Sequence, residues 1–260
     1  TQRRDYRDLL RCGRARGRGG KSYYGGVTME ERFSRAAALV GDENIDKLAR
    51  ARVLLLGVGG VGGYVAEALV RSGIGSLTIV DGDTVALSNF NRQIIAVEGA
   101  LNRPKAEVAA ERARSINPDA EVIPINAFWS AEDVESADLS RYDYVVDAID
   151  TVTTKLAVIR KCLAEKVNII SCMGTGNKLE PEKMRVARLK DTYNCPLCKV
   201  MRRELRGTEG ADELKVVFSP EIPVVRRRPP ASMVFCPAVA GLYIASEVVR
   251  SVTGDGGLSH

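Results

Sequence analysis

Residues 51–74, ARVLLLGVGGVGGYVAEALVRSGI, join an apolar run to an amphipathic stretch through a glycine-rich turn. RVLLLG predicts a strand and VGGYVAEALVRSG a helix, with Val61, Val65, Leu69 and Val70 as its buried stripe. Glycines let such a turn close tightly and bring backbone N–H groups up to a phosphate at the positive end of the helix. The alternation continues. SLTIVDGD predicts a second strand and RPKAEVAAERARSINP (103–118) a helix, with Pro104 near its start and Pro118 past its end. EVIPIN, YDYVVDAID and VNIISCMG predict further strands, and TVTTKLAVIRKCLAEK a helix between the last two.

Strands that alternate with helices require crossovers. The fold class is therefore α/β: a doubly wound, Rossmann-like, mostly parallel sheet with helices on both faces, centred on roughly residues 45 to 175. After Gly176 the pattern changes. MRVARL and LKVVFS predict two more strands around the short basic helix PLCKVMRRELR, PEIPVVRRRPPAS predicts an irregular loop, and residues 238–252 return to helix.

With 260 residues and 45% hydrophobic content, the chain can bury one substantial core. No uncharged apolar run reaches the ~18 residues of a membrane span, so membrane insertion is not expected. The most apolar late stretch, CPAVAGLYIASEVV, is short and carries Glu247, which predicts a core-facing helix. The net charge of +5 is local: residues 1–28 hold seven Arg and one Lys against Asp5 and Asp8, so the remainder is close to neutral. Those 28 residues, rich in Gly and Arg without apolar periodicity, are expected to be a disordered basic tail or an upstream extension. Residues 29–253 are expected to form the folded domain and 254–260 a flexible C-terminus.

Six cysteines without a secretory signal before them point to reduced thiols and a cytoplasmic chain. CPLC (Cys195, Cys198) is a lone CxxC, whereas structural zinc usually needs a second pair; inert thiols are the first expectation, with zinc and redox or persulfide roles as alternatives. The one histidine is His260, so an imidazole base is not expected.

Gly57, Gly59 and Gly62 fit a dinucleotide fingerprint, and Asp81 ends the second strand where a carboxylate can bond ribose hydroxyls. On these alone an NAD-dependent oxidoreductase would serve. DGDTVALSNFNRQ (81–93) adds a second carboxylate, small polar side chains and Arg92, and Lys105 follows. A ribose needs none of the positive groups. A triphosphate, whose charge must be balanced for attack at phosphorus, does. VVDAID then carries Asp147 and Asp150 to a strand end, where hard carboxylates beside phosphates suit Mg²⁺. Asp150 is the metal candidate, while Asp147 can also cap or brace the next helix.

Taken in order, GVGGVG, DGDTVALSNFNRQ, RPKAE, INP and DAID resemble the ubiquitin-activating-enzyme superfamily, which includes the activators of sulfur-carrier proteins. RFSRAAALVGDE, SGIGSLTIVDGDTVALSNFNRQI and GTGNKLEPEKMRVARLKDT are similar more narrowly to its tRNA threonylcarbamoyladenosine dehydratase branch. That resemblance implies an ATP-dependent enzyme that activates the side-chain carboxylate of N6-threonylcarbamoyladenosine at tRNA position 37 and closes it to the cyclic hydantoin. It implies nucleotide contacts at Gly57, Gly59, Gly60, Gly62, Asp81, Asp83, Ser88, Asn89, Asn91, Arg92 and Gln93, a phosphate-binding Lys105 and a magnesium-linked Asp150. Arg92, Lys105 and Asp150 would be the catalytic set. Modified tRNA is the implied partner, with a homodimer and, as a lesser expectation, a cysteine desulfurase or sulfur-carrier protein. The alternative is adenylation of the C-terminal Gly-Gly of a ubiquitin-like sulfur carrier; a non-catalytic nucleotide-binding scaffold is a third reading. Lys199, Arg202, Arg203 and Arg206, with Arg226 to Arg228, are the candidate tRNA surface.

Overall fold

The structure is a computed structural model that describes residues 29–223, 225, 227 and 230–254. The basic tail, Arg226, Arg228 and residues 255–260 lie outside the described residues. Three helices, α1 (Met29–Arg32), α2 (Ser34–Val40) and α3 (Asp42–Arg50), lead into β1 (Arg52–Leu56). There follow α4 (Gly62–Arg71), β2 (Ser76–Val80), α5 (Lys105–Ile116), β3 (Glu121–Ile125), α6 (Ala131–Ser136), β4 (Tyr144–Asp147), α7 (Val152–Ala164) and β5 (Ile169–Cys172). β6 (Arg185–Arg188), α8 (Pro196–Glu204), β7 (Lys215–Phe218) and α9 (Phe235–Thr253) complete the order.

The strands form one sheet in the order β3-β2-β1-β4-β5-β7-β6. Neighbours are parallel except β6, which runs antiparallel to β7 at the edge. Thus β7 and β6 extend the same sheet beyond the roughly 45 to 175 read from the alternation alone. In the edge strand β6 both terminal arginines, Arg185 and Arg188, are exposed, and edge charge of this kind discourages pairing with another chain.

β1 reads as an unbroken apolar run because both its faces are covered. Val53 and Leu55 pack with residues of α4, α5 and α9, whereas Leu54 and Leu56 pack with α6, α7 and α8. From β1 the chain winds outward to β2 and β3, then returns to β4 on the other side. The carboxyl ends of β1 and β4 therefore flank a topological switch point, where open α/β sheets form ligand crevices.

Two boundaries differ from the sequence reading. β4 stops at Asp147, so Asp150 belongs to the following loop. α9 begins at Phe235 and runs for 19 residues, carrying Pro237 in its first turn, where a missing N–H costs nothing. By length and composition alone this helix could cross a membrane. Its Cys236, Ala240, Ile244 and Val248 are buried in the core shared with α4, and a Cβ on Gly241 would stand 2.6 Å from Val61 O.

Candidate active-site crevice

The glycine turn is shaped by two different demands. Gly57 has φ +85°, and an added Cβ there would lie 2.8 Å from Ala148 O; a Cβ on Gly62 would lie 1.9 Å from Gly57 O. Those two glycines are required by the protein's own backbone. At Gly59 an added Cβ would meet Gln93 Nε2 at 3.7 Å, and at Gly60 it would meet Pro237 Cβ at 3.4 Å and the Arg92 side chain at 3.6 Å, all ordinary contact distances to side chains. Packing leaves room there, so a bare backbone at these positions serves close approach from the crevice side. No side chain caps the N-terminus of α4, which leaves its positive end available to an anion.

Gly57, Gly59, Gly60, Asp81, Asp83, Asn89, Arg92, Gln93, Lys105 and Asp150 line one crevice of about 730 Å³. Asp81 accepts from Val58 N through Oδ2 at 2.8 Å and from Asp83 N through Oδ1 at 2.9 Å. These amides fix the carboxylate, whose oxygens keep lone pairs for ribose hydroxyls. Lys105, nearly buried at the start of α5, donates to Asp83 Oδ2 at 2.7 Å. Arg92 lies over Gly60, with Nη1 donating to Ser88 O and Asn91 Oδ1. Gln93 Oε1 is buried without a hydrogen-bond partner among the described residues, an acceptor suited to a donor from a ligand. Asp150 is exposed at the crevice edge.

Other residues expected at a nucleotide also make contacts within the protein. Gly62 stands behind the turn, and Ser88 and Asn91 lie outside the crevice lining. Asn91 Nδ2 donates to Ser232 O at 2.8 Å and so holds the segment before α9. Asn89 Oδ1 accepts from Ala86 N, closing a one-turn 3₁₀ helix. Asp147 braces the next helix, as its alternative reading allowed: it is fully buried and ion-paired with Lys155 of α7 at 2.6 Å. In the basic helix α8, half-buried Arg202 donates through Nη1 to Thr192 O at 2.8 Å and so braces the helix; Arg203 is exposed and paired with Glu204.

Sequence reasoning missed a further part of the crevice lining, formed by Ala127, Phe128 and Trp129 after β3 and by Thr154 of α7. Phe128 is a large aromatic left 74% exposed, and its ring packs on Gly82, next to Asp81. Two aromatics directly after a parallel strand were the available signal, since that end of the sheet faces the crevice.

The thiols are enclosed. Cys172 lines the crevice floor, and burial pushes its thiol up to about 12, which leaves no nucleophile at neutral pH. Cys195, the N-cap of α8, is lowered to about 6 by the hydrogen bond from Cys198, against burial and with help from the backbone N–H groups of Cys198, Gly174 and Leu197. Cys198 is raised in turn, by that same bond and by burial. No cluster of three or more metal-ligating side chains occurs among the described residues. A depressed folded value means that the unfolded chain binds the extra proton, so Cys195 contributes stability that grows as pH rises from about 6 toward the ordinary thiol range. The melting-temperature gap between wild type and Cys195→Ser is expected to widen from pH 6 to pH 8, and a gap that narrows would contradict the assignment. The Cys195→Ser, Cys198→Ser variant is expected to keep its turnover.

Fold and crevice together define the class: a doubly wound α/β protein whose switch-point crevice joins a glycine turn, the amide-held carboxylate of Asp81 and the side chains of Arg92 and Lys105. The ThiF family model matches residues 33–259, and the chain belongs to that family. It is 36% identical over 245 residues to the tRNA threonylcarbamoyladenosine dehydratase of Bacillus subtilis, covering 87% of this chain and 96% of that protein. The structure of the Escherichia coli enzyme TcdA in complex with ATP superposes with a TM-score of 0.81 at 33% identity, covering 87% of this chain and 95% of that one. The E. coli molybdopterin-synthase adenylyltransferase is 33% identical over a shorter 170 residues, 64% of this chain and 66% of that protein.

Proposed function

We propose that this protein is an ATP-dependent tRNA threonylcarbamoyladenosine dehydratase. The observation that carries the reading is that Asp81, Arg92, Lys105 and Asp150 all line one crevice with the glycine turn, Asp81 fixed by backbone amides and Lys105 by Asp83, a set suited to a ribose and to phosphates whose charge is balanced. Similarity along nearly the whole chain to proteins of that name supports it over sulfur-carrier adenylation.

A carboxylate is a poor electrophile. Attack of its oxygen on the α-phosphorus of ATP expels pyrophosphate and leaves an acyl-adenylate, or attack on the γ-phosphorus expels ADP and leaves an acyl-phosphate; the carbamoyl nitrogen then attacks the activated carbonyl carbon, gives up its proton and expels AMP or phosphate as the ring closes. The modified nucleoside loses one water. Arg92 and Lys105 stabilise charge that develops at phosphorus, while the amides of the glycine turn hold the phosphates. The exposed carboxylate of Asp150 fits Mg²⁺, which keeps several waters and binds through one or two carboxylates plus phosphates; when bound it would offset phosphate charge. Phe128 and Trp129 offer a stacking wall for adenine beside the ribose site. A cytoplasmic homodimer belongs to the same reading, with exposed Leu242 and Tyr243 of α9 available to a second copy.

Incubation with ATP, Mg²⁺ and tRNA carrying threonylcarbamoyladenosine, followed by mass analysis of released nucleosides, is expected to show loss of one water. ATP with Mg²⁺ is expected to raise the melting temperature and NAD⁺ to leave it unchanged, since only a ligand of the native state stabilises it. Exchange of ATP and pyrophosphate that depends on a Gly-Gly protein, with no change in tRNA, would favour the sulfur-carrier reading instead.

A further inference from the structure

Beneath the crevice lies a buried polar group that the proposed chemistry does not use. Lys155, on α7, is 0% exposed, as are Asp147 and Ser171. Its Nζ donates to Asp147 Oδ2 at 2.6 Å, to Cys172 O at 2.9 Å and to Ser171 Oγ at 3.2 Å, and Ser171 Oγ donates to the same Asp147 oxygen at 2.5 Å. A buried ion pair is seldom more stable than apolar side chains packed in its place, because both charges give up water. Stability is therefore a weak reason for the pair, and its location supplies a better one.

Asp147 is the last residue of β4 and Cys172 the last of β5. One ammonium thus ties together two adjacent strand ends, from which segments 148–151 and 173–176 run on to line the crevice. Asp147 Oδ1 also accepts from Ile149 N at 3.3 Å, which turns the chain toward Asp150. Ala148 stands against Gly57, so the same loop meets the glycine turn.

We propose that Lys155 is a positioning residue of the crevice: by holding the ends of β4 and β5 together, it sets where Asp150 stands relative to the glycine turn and so how strongly Mg²⁺ aids ATP binding. The proposal rests on the reading of the crevice as an ATP site. Lys155 itself touches no ligand and acts through Asp147 and Cys172. Groups that orient a metal-linked carboxylate typically change metal affinity by about 10- to 100-fold when lost.

Lys155→Met alone strands the buried Asp147 charge, so the informative variant is Asp147→Asn, Lys155→Met, which removes both charges and nearly keeps the volume. ATP affinity is measured by calorimetry in EDTA and in excess Mg²⁺, alongside thermal melts. The double variant is expected to melt cooperatively and to bind ATP in EDTA like the wild type, while the Mg²⁺ enhancement falls by about tenfold or more. Should that variant fail to fold, Ser171→Ala, which removes the two hydrogen bonds of Ser171 Oγ and no charge, is expected to reduce the enhancement too. Wild-type Mg²⁺ enhancement in either folded variant overturns the proposal alone. A wild type that binds no ATP overturns the reading of the crevice and this proposal with it.

Discussion

Gly62→Ala is expected to unfold the glycine turn and abolish nucleotide binding, whereas Gly59→Ala is expected to leave the fold intact and weaken binding only. The contrast follows from what each new methyl group would meet. At position 62 it falls 1.9 Å from Gly57 O, a backbone atom that cannot swing away, in the middle of the sheet's switch point. Overpacking of that kind costs about 3 kcal/mol, or roughly 10 °C in melting temperature for a chain of this size. At position 59 the methyl group meets only the end of the Gln93 side chain at 3.7 Å, so the melting temperature is expected to stay within about 2 °C. It does occupy the space through which a phosphate approaches the backbone, and ATP affinity is expected to fall by about tenfold or more. Thermal melts with ATP titrations of both variants decide the matter; two variants that behave alike would remove the division between structural and ligand-facing glycines.

Lys105→Ala and Asp150→Ala are each expected to lower turnover on modified tRNA by about a hundredfold or more, because each removes charge placed to balance a phosphoryl group under attack. Neither change should unfold the protein. Loss of Lys105 leaves Asp83 without its ion pair, but that carboxylate is 54% exposed and can be solvated. Asp150 is exposed already. The two should separate in kinetics: Lys105→Ala raises the Michaelis constant for ATP at every Mg²⁺ concentration, and Asp150→Ala shifts the Mg²⁺ requirement itself. Wild-type turnover in a well-folded Asp150→Ala variant would take that residue out of the site.

Local patterning carried much of the architecture. The short apolar runs of the strands, the period near 3.6 in the helices and the glycines between them depend on neighbours in sequence, so the α/β alternation was legible without coordinates. The positions of Asp81, Arg92, Lys105 and Asp150 just past strand or helix ends were legible for the same reason, since ligand crevices form at one known edge of a parallel sheet. The roles given to them as nucleotide or metal contacts come from resemblance and await the experiments above.

Tertiary structure alone decided the rest, because it concerns partners distant in sequence. Lys155 reads as one more helical lysine until α7 packs on the sheet and closes it over Asp147 and Ser171. The tie from the Asn91 amide to Ser232 O, 141 residues away, is invisible in the sequence. Arg202 reads as part of a candidate tRNA surface, and only packing shows its bond to Thr192. Charge and polarity are properties a sequence states outright, whereas which charge stays in water depends on long-range packing. So the sequence by itself determined the elements, their class of fold and the edge at which a ligand would sit. Burial and hydrogen bonding between distant segments determined which of its polar side chains face that ligand and which are consumed in holding the crevice open.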